Sequence, residues 1–287
     1  MKPPWIRAAA PQGERYEAVL KKRREGGFRT VCEEALCPNV GECWPRGHAT
    51  FLVMGPGCTR ACAFCGVGKA VEPLDPGEPG RVAEAVRAMG LSHAVITSVT
   101  RDDLQDGGAA FLAQVLEAVR RASPGITTEV LAPDFGGNFE ALETLLAAGP
   151  DIFGHNVETV PGLYPKVRPG ADFERSLALL AAAKSMDNGV VTKSGLMAGL
   201  GESGGEILET LARLKESSVD VVTVGQYLRP SPRHLPVARY LAPEEFAALG
   251  EAARAMGFSW VESGPLVRSS YGSDRQAAAL CRKARNG

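Results

Sequence analysis

Short runs rich in β-branched and apolar residues recur along the chain, at 49–54, 93–98, 127–132, 151–156, 190–197 and 219–225, with a weaker run at 258–262. Each of the first six is followed by a longer stretch whose apolar residues recur every three or four positions, at 81–89, 108–122, 138–148, 173–185, 204–215 and 243–256. The short runs predict strands and the long ones amphipathic helices. Ser203 and Pro243 stand where helix starts want them, and Gly257 just past a helix end. Alternating strands and helices with short connections predict parallel strands joined by right-handed crossovers. Six such units are fewer than the eight of a closed barrel, so the expected fold class is α/β, an incomplete TIM-type (β/α)6 barrel. Residues 1–48 read as an N-terminal extension, 49–262 as the partial barrel and 263–287 as a C-terminal tail. Neither extension is long enough to bury a core unaided.

With 287 residues, 45% of them hydrophobic and 23% charged, the chain can bury a full core. A formal net charge of −1 argues against a nucleic-acid surface, which would show as a strong excess of Lys and Arg. The one basic run, Lys21, Lys22, Arg23 and Arg24, reads as a solvated helix face. No stretch approaches the apolar length of a membrane span, and the opening residues lack the apolar centre of a secretory signal. The expected setting is therefore cytoplasmic and reducing, without a membrane or nucleic-acid partner. There, cysteines bind metals or clusters more often than they pair as disulfides.

Six of the seven cysteines form two triplets: Cys32, Cys37 and Cys43, then Cys58, Cys62 and Cys65. Three thiolates can hold three irons of a cubane cluster and leave the fourth without a protein ligand. A structural zinc knuckle is the alternative, but it wants four closed ligands and usually two C-x-x-C pairs. The second triplet starts just beyond the first predicted strand, and in parallel α/β folds the loops at C-terminal strand ends carry the active site. The intervening Gly55-Pro56-Gly57 allows the turn. Cys281 reads as an incidental exposed thiol in a frayed basic tail. His48, His93, His155 and His234 show no ligand spacing and read as structural.

The segment from Cys58 through Cys62 and Phe64 to Cys65 resembles the hallmark of the radical S-adenosylmethionine superfamily, C-x3-C-x-aromatic-C. The resemblance implies a [4Fe–4S] cluster whose open iron chelates the amino and carboxylate groups of S-adenosylmethionine. Its reduction would cleave the sulfonium to a 5′-deoxyadenosyl radical that takes hydrogen from an unactivated carbon. The first triplet, with Thr30, Val31 and Trp44 beside it, is similar to the C-x4-C-x5-C auxiliary-cluster motif of the lipoyl synthase family. The tail Arg268-Ser269-Ser270-Tyr271-Gly272-Ser273 resembles the family's Arg-Ser-Ser-Tyr-x-Ala, departing at Ser273. The family resemblance implies a second [4Fe–4S] cluster with serine as its fourth ligand. Sequence alone leaves Ser269 and Ser270 both open; the family reading favours Ser270. An oxygen ligand is harder and less usual for cluster iron than thiolate, which suits a cluster consumed as the sulfur source.

This resemblance runs from Lys2 to Tyr271. By analogy with sulfur-inserting relatives it implies that Asn156 and Glu158 reach the ribose and methionine portions of S-adenosylmethionine. Gly195, Gly199 and Glu202 resemble a glycine-containing strand motif near the adenine. Thr97, Arg101, Asp102, Arg168 and Lys193 are candidates for binding the cofactor or orienting the substrate, with strand-end ion pairs as the plainer account. The implied activity is insertion of two sulfur atoms at C6 and C8 of an octanoyl chain amide-linked to a carrier lysine. The implied partners are octanoylated lipoyl carrier proteins (the glycine cleavage H protein or the E2 lipoyl domains of 2-oxoacid dehydrogenases), an electron donor and a cluster-repair protein.

Overall fold

A computed structural model describes residues 2–285. Eight strands lie in one sheet in chain order: β1 Arg29–Thr30, β2 Thr50–Val53, β3 His93–Ser98, β4 Thr127–Leu131, β5 Ile152–Gly154, β6 Val191–Ala198, β7 Val221–Gln226 and β8 Trp260–Gly264. β2 to β8 are parallel, and β1 adds antiparallel to β2 through Arg29 against Leu52 and Thr30 against Phe51. The N-terminal extension carries α1 Glu14–Gly26, α2 Val31–Glu34 and α3 Val40–Cys43. The crossovers carry α4 Glu78–Met89, α5 Ala109–Ala122, α6 Phe139–Ala147, α7 Tyr164–Val167, α8 Phe173–Met186, α9 Gly204–Glu216 and α10 Pro243–Ala255, and α11 Ser273–Arg285 closes the chain.

The six predicted βα units are all present, and the weak seventh run is the seventh parallel strand. Its position, Trp260–Gly264, lies two residues later than the pattern suggests. The outer helices bury apolar stripes against the sheet, such as Leu112, Leu116 and Val119 of α5 and Ile207, Leu211 and Leu214 of α9. Strands β2 and β7 are buried at every position, as parallel strands covered on both faces should be.

The extensions do specific work. The Thr30 side chain caps α2 by accepting from the Glu33 N–H, so the chain turns directly from the added strand into the helix that carries Cys32. Trp44, 1% exposed, stacks on Tyr16 of α1 at 5.3 Å and fixes the end of the first triplet. The basic run lies on α1, where Lys21 is solvated beside Glu25, but Arg23 turns inward to Glu33 at 2.7 Å. The tail corrects one expectation. Cys281 is 4% exposed, not on an exposed frayed tail: with Ala277 it packs on Ile152 and Val191 at the starts of β5 and β6, so α11 covers the N-terminal end of the barrel. The departure at Ser273 is accommodated there too, as the buried first residue of α11, with its N–H donating to Ser270 O at 3.3 Å.

Candidate active site

The loop after β2 carries the second triplet. It leaves the strand through Met54 and Gly55, both at positive φ, and closes on itself where Cys58 N–H donates to Gly68 O at 2.9 Å. A Cβ on Gly57 would lie 2.0 Å from Ala70 O, so only glycine permits this closure. The loop is then strapped to the barrel. Ala63 N–H donates to Val167 O, Leu235 N–H to Ala63 O, and the His234 ring meets Cys65 O at 3.0 Å. Arg60 forks between Asp102 at 2.8 Å and the fully buried Asp134 at 2.6 Å. Phe64 packs on Val167, Leu200 and Tyr227, which anchors the loop between its last two thiols.

Burial pushes the Cys65 thiol up to about 11, and the nearby Cys62 and Cys58 add to it. Burial likewise raises Cys62, with Arg168 opposing and Glu158 and Cys58 adding to it. Cys62 and Cys65 thus sit in a low-dielectric lobe, where a thiolate needs a cation beside it.

Asn156 and Glu158 lie beside this lobe because β5 ends early. The pattern suggests a strand to residue 156, but after Gly154 the backbone leaves regular strand geometry while still bonding to β6. His155 N–H donates to Lys193 O, and Glu158, at φ 65°, donates its N–H to Gly195 O. A non-glycine residue at positive φ costs strain that commonly marks a functional position. Asn156 Nδ2 donates to Glu158 Oε1 at 3.0 Å, and Arg168 Nη1 donates to Asn156 O and Val157 O at 2.8 and 3.1 Å. Burial raises the Glu158 carboxyl, opposed by Arg168 and the Asn156 hydrogen bond. Gly195 belongs here as well, since its Cβ would lie 3.1 Å from Asn156 Oδ1.

Other predicted residues are not brought to this group. The Thr97 hydroxyl donates to Leu131 O, and the Lys193 ammonium pairs with Glu129 at 2.7 Å, 2% and 1% exposed, deep in the barrel. Gly199 is needed for packing: its Cβ would lie 2.2 Å from Gln226 Nε2, and its N–H is held by the buried Glu202 carboxylate. Arg101 pairs with Asp103 at 2.7 Å. For Arg101, Asp102 and Lys193 the ion-pair account is what the coordinates place. His155 is structural as expected, bonding Ala132 O and Ser176 Oγ.

The first triplet lines one small cavity, with Cys32, Cys37 and Cys43 facing Arg268, Ser270 and Tyr271. Burial pushes Cys32 up to about 11 and Cys43 up to about 12, the latter helped by Cys37 and Cys32. Ser270 Oγ accepts from Thr50 Oγ1 at 2.9 Å, inside the same cavity. Ser269 points elsewhere, accepting from Asn156 Nδ2. Arg268 lies between the two groups, attracted by Cys37 on one side and Glu158 on the other. The two cysteine loops touch: a Cβ on Gly66 would lie 3.3 Å from Glu34 O. Among the described residues no three His, Cys, Asp or Glu side chains are drawn together tightly enough to hold one metal ion.

Sequence assigns no role to Arg60, Thr50 or Arg268, and offers Ser269 only as the alternative cluster ligand. Of the first three only Arg268 carries a signal, its place in the tail motif.

Residues 52–224 match the radical SAM superfamily. Lipoyl synthase of Rubrobacter xylanophilus is 54% identical over 277 residues, 96% of this chain and 86% of that protein. Lipoyl synthase of Nitrosococcus oceani is 55% identical over 279 residues, with the same shares. This chain belongs to the lipoyl synthase family. Its members are sulfur-inserting radical enzymes whose cofactors are [4Fe–4S] clusters and S-adenosylmethionine, and they act on lipoyl carrier proteins. Among solved structures, Streptococcus suis SuiB bound to its precursor peptide aligns with TM-score 0.58 and 12% identity, over 91% of this chain and 55% of SuiB. The maturase HydG aligns with TM-score 0.55 and 14% identity, over 94% of this chain and 68% of HydG. At those identities the likeness is one of fold alone. Among the described residues no helix is long and apolar enough to cross a membrane.

Proposed function

We propose that this chain inserts sulfur at C6 and C8 of an octanoyl chain amide-linked to a carrier lysine, drawing both atoms from a cluster held by Cys32, Cys37, Cys43 and Ser270. The observation that carries this reading is the placement of the tail. Ser270 stands in the first triplet's cavity while its neighbour Ser269 reaches the group beside the second. That separation favours Ser270 over Ser269 as the oxygen ligand.

The residues fit the cofactors of the family. Cys58, Cys62 and Cys65 would hold the cluster that binds S-adenosylmethionine, which when bound supplies the hydrogen-abstracting radical. Glu158 and Asn156 present acceptors to the cofactor's hydroxyl and ammonium hydrogens. Asn156 Oδ1 and Arg168 Nε are both buried without a partner, which fits a polar ligand that completes them. Arg168 is placed to meet the cofactor carboxylate, Gly195 admits the ligand's close approach, and Phe64 holds the cluster loop. Thr97, Lys193 and Gly199 support the barrel behind the site. Leu196 and Met197 stand on β6, where the strand end can wall a dry pocket for an eight-carbon chain.

In this reading residues 1–48 and 263–287 build the auxiliary site on a barrel of 49–262. The carrier is the glycine cleavage H protein or an E2 lipoyl domain. A reductant delivers electrons, a repair protein rebuilds the spent cluster, and the work is done in the cytoplasm. Iron and sulfide analysis of anaerobically reconstituted protein tests the two sites separately. About eight irons per chain are expected, falling to about four when either triplet is changed to alanine. A wild-type value near four, or stoichiometric zinc, would contradict the reading.

A further inference from the structure

Asn156 is set as an acceptor. Its Nδ2 is engaged by Glu158 Oε1 at 3.0 Å and by Ser269 Oγ at 2.5 Å. A carboxamide has two donor hydrogens and one acceptor oxygen, so both donors are consumed inside the protein. Oδ1 is buried and has no partner. A Cβ at 195 would meet Thr223 Oγ1 at 2.4 Å first, and would also stand 3.1 Å from that oxygen and 3.4 Å from Ser269 Oγ, so glycine leaves room beside the amide as well.

Ser269 is held from outside the segment that carries Asn156. It lies in a turn in which Tyr271 N–H donates to Arg268 O at 2.9 Å and Ser273 N–H to Ser270 O at 3.3 Å. The next residue, Ser270, is tied to Thr50 at 2.9 Å. The direction of the Asn156 amide is thus fixed by the C-terminal tail.

We propose that Ser269 is a positioning residue, turning the Asn156 carboxamide so that its oxygen accepts a hydroxyl or ammonium hydrogen of S-adenosylmethionine. This rests on the reading of Asn156 as a cofactor contact. Without the Ser269 oxygen one Nδ2 hydrogen loses its acceptor, and the amide is free to rotate and present donors to a ligand group that donates. Ser269 itself touches neither the cofactor nor the substrate in this account.

The test uses full-length protein carrying both clusters, with S-adenosylmethionine binding read by anaerobic equilibrium dialysis and iron content read alongside. Ser269→Ala is expected to weaken binding about fivefold to tenfold at unchanged iron content, the value of one anchoring hydrogen bond. Ser269→Thr keeps the hydroxyl and should bind as the wild type does. Its isostere Ser269→Val should not, and that pair remains informative even if the alanine variant loses its clusters. Adding Ser269→Ala to Asn156→Ala should cost nothing further, since the two act through one contact. Wild-type affinity in Ser269→Val beside a weakened Asn156→Ala would overturn the proposal alone. Wild-type affinity in Asn156→Ala would overturn the reading of Asn156 on which it rests.

Discussion

In the proposed reading Ser270 is the oxygen ligand of the auxiliary cluster. Its hydroxyl already bonds to Thr50 and stands in the cavity of Cys32, Cys37 and Cys43. An oxygen ligand at one corner would make that iron the easiest to release. Ser270→Ala is expected to abolish sulfur insertion while cofactor cleavage continues, read as 5′-deoxyadenosine formed against peptide mass. Full insertion by this variant would contradict the assignment. His155 makes a different prediction. Burial first, then the charge of Arg168, holds it down to about 4 from an ordinary 6.5, so the folded protein keeps it neutral. The unfolded chain binds a proton where the folded one does not, so stability falls as pH drops from about 6.5 toward 4. Between pH 7 and pH 5 the loss from this residue is about 2 kcal/mol. Urea unfolding at the two pH values should show it, and His155→Gln should flatten the difference.

Elements behave as their patterns predict wherever burial is regular. The six βα units are legible because each strand is covered on both faces and each helix shows one apolar stripe. The pattern overruns β5, which gives way after Gly154 to an irregular turn through Glu158 at positive φ that still bridges β6. Composition cannot distinguish that turn from two more strand residues; the positive φ of Glu158 is a product of tertiary contacts. Lys193 shows the opposite limit. It sits in a strand-end motif, yet its partner Glu129 is 64 positions away in sequence and two strands distant in the sheet. For α11 the signal was present and easily passed over: Ser273, Ala277 and Cys281 recur every fourth position and all three are buried. Cys281→Asp should therefore destabilise the protein by about 3 kcal/mol, the usual cost of an unpaired charge in an apolar contact. An exposed residue would shift the thermal midpoint hardly at all, which is the outcome that would contradict this packing.

At the scale of the molecule, both ends of the chain return to the barrel. The N-terminal extension brings one thiol set to β2 through the added antiparallel strand, and the tail crosses between the two sets. The cysteine spacings make both sets readable from sequence. Their adjacency is not readable, because it depends on β1 pairing and on the tail returning to Thr50 and Asn156. That adjacency is the central claim, since a carbon radical made at one set must meet sulfur held at the other before anything else quenches it. The most direct measurement is anaerobic incubation of the reconstituted protein with S-adenosylmethionine, a reductant and an octanoyl-lysyl peptide, followed by mass analysis of the peptide. The account predicts a peptide that has gained two sulfur atoms without any added sulfide. Cofactor cleavage with an unchanged peptide, or with oxygen rather than sulfur added, would contradict it.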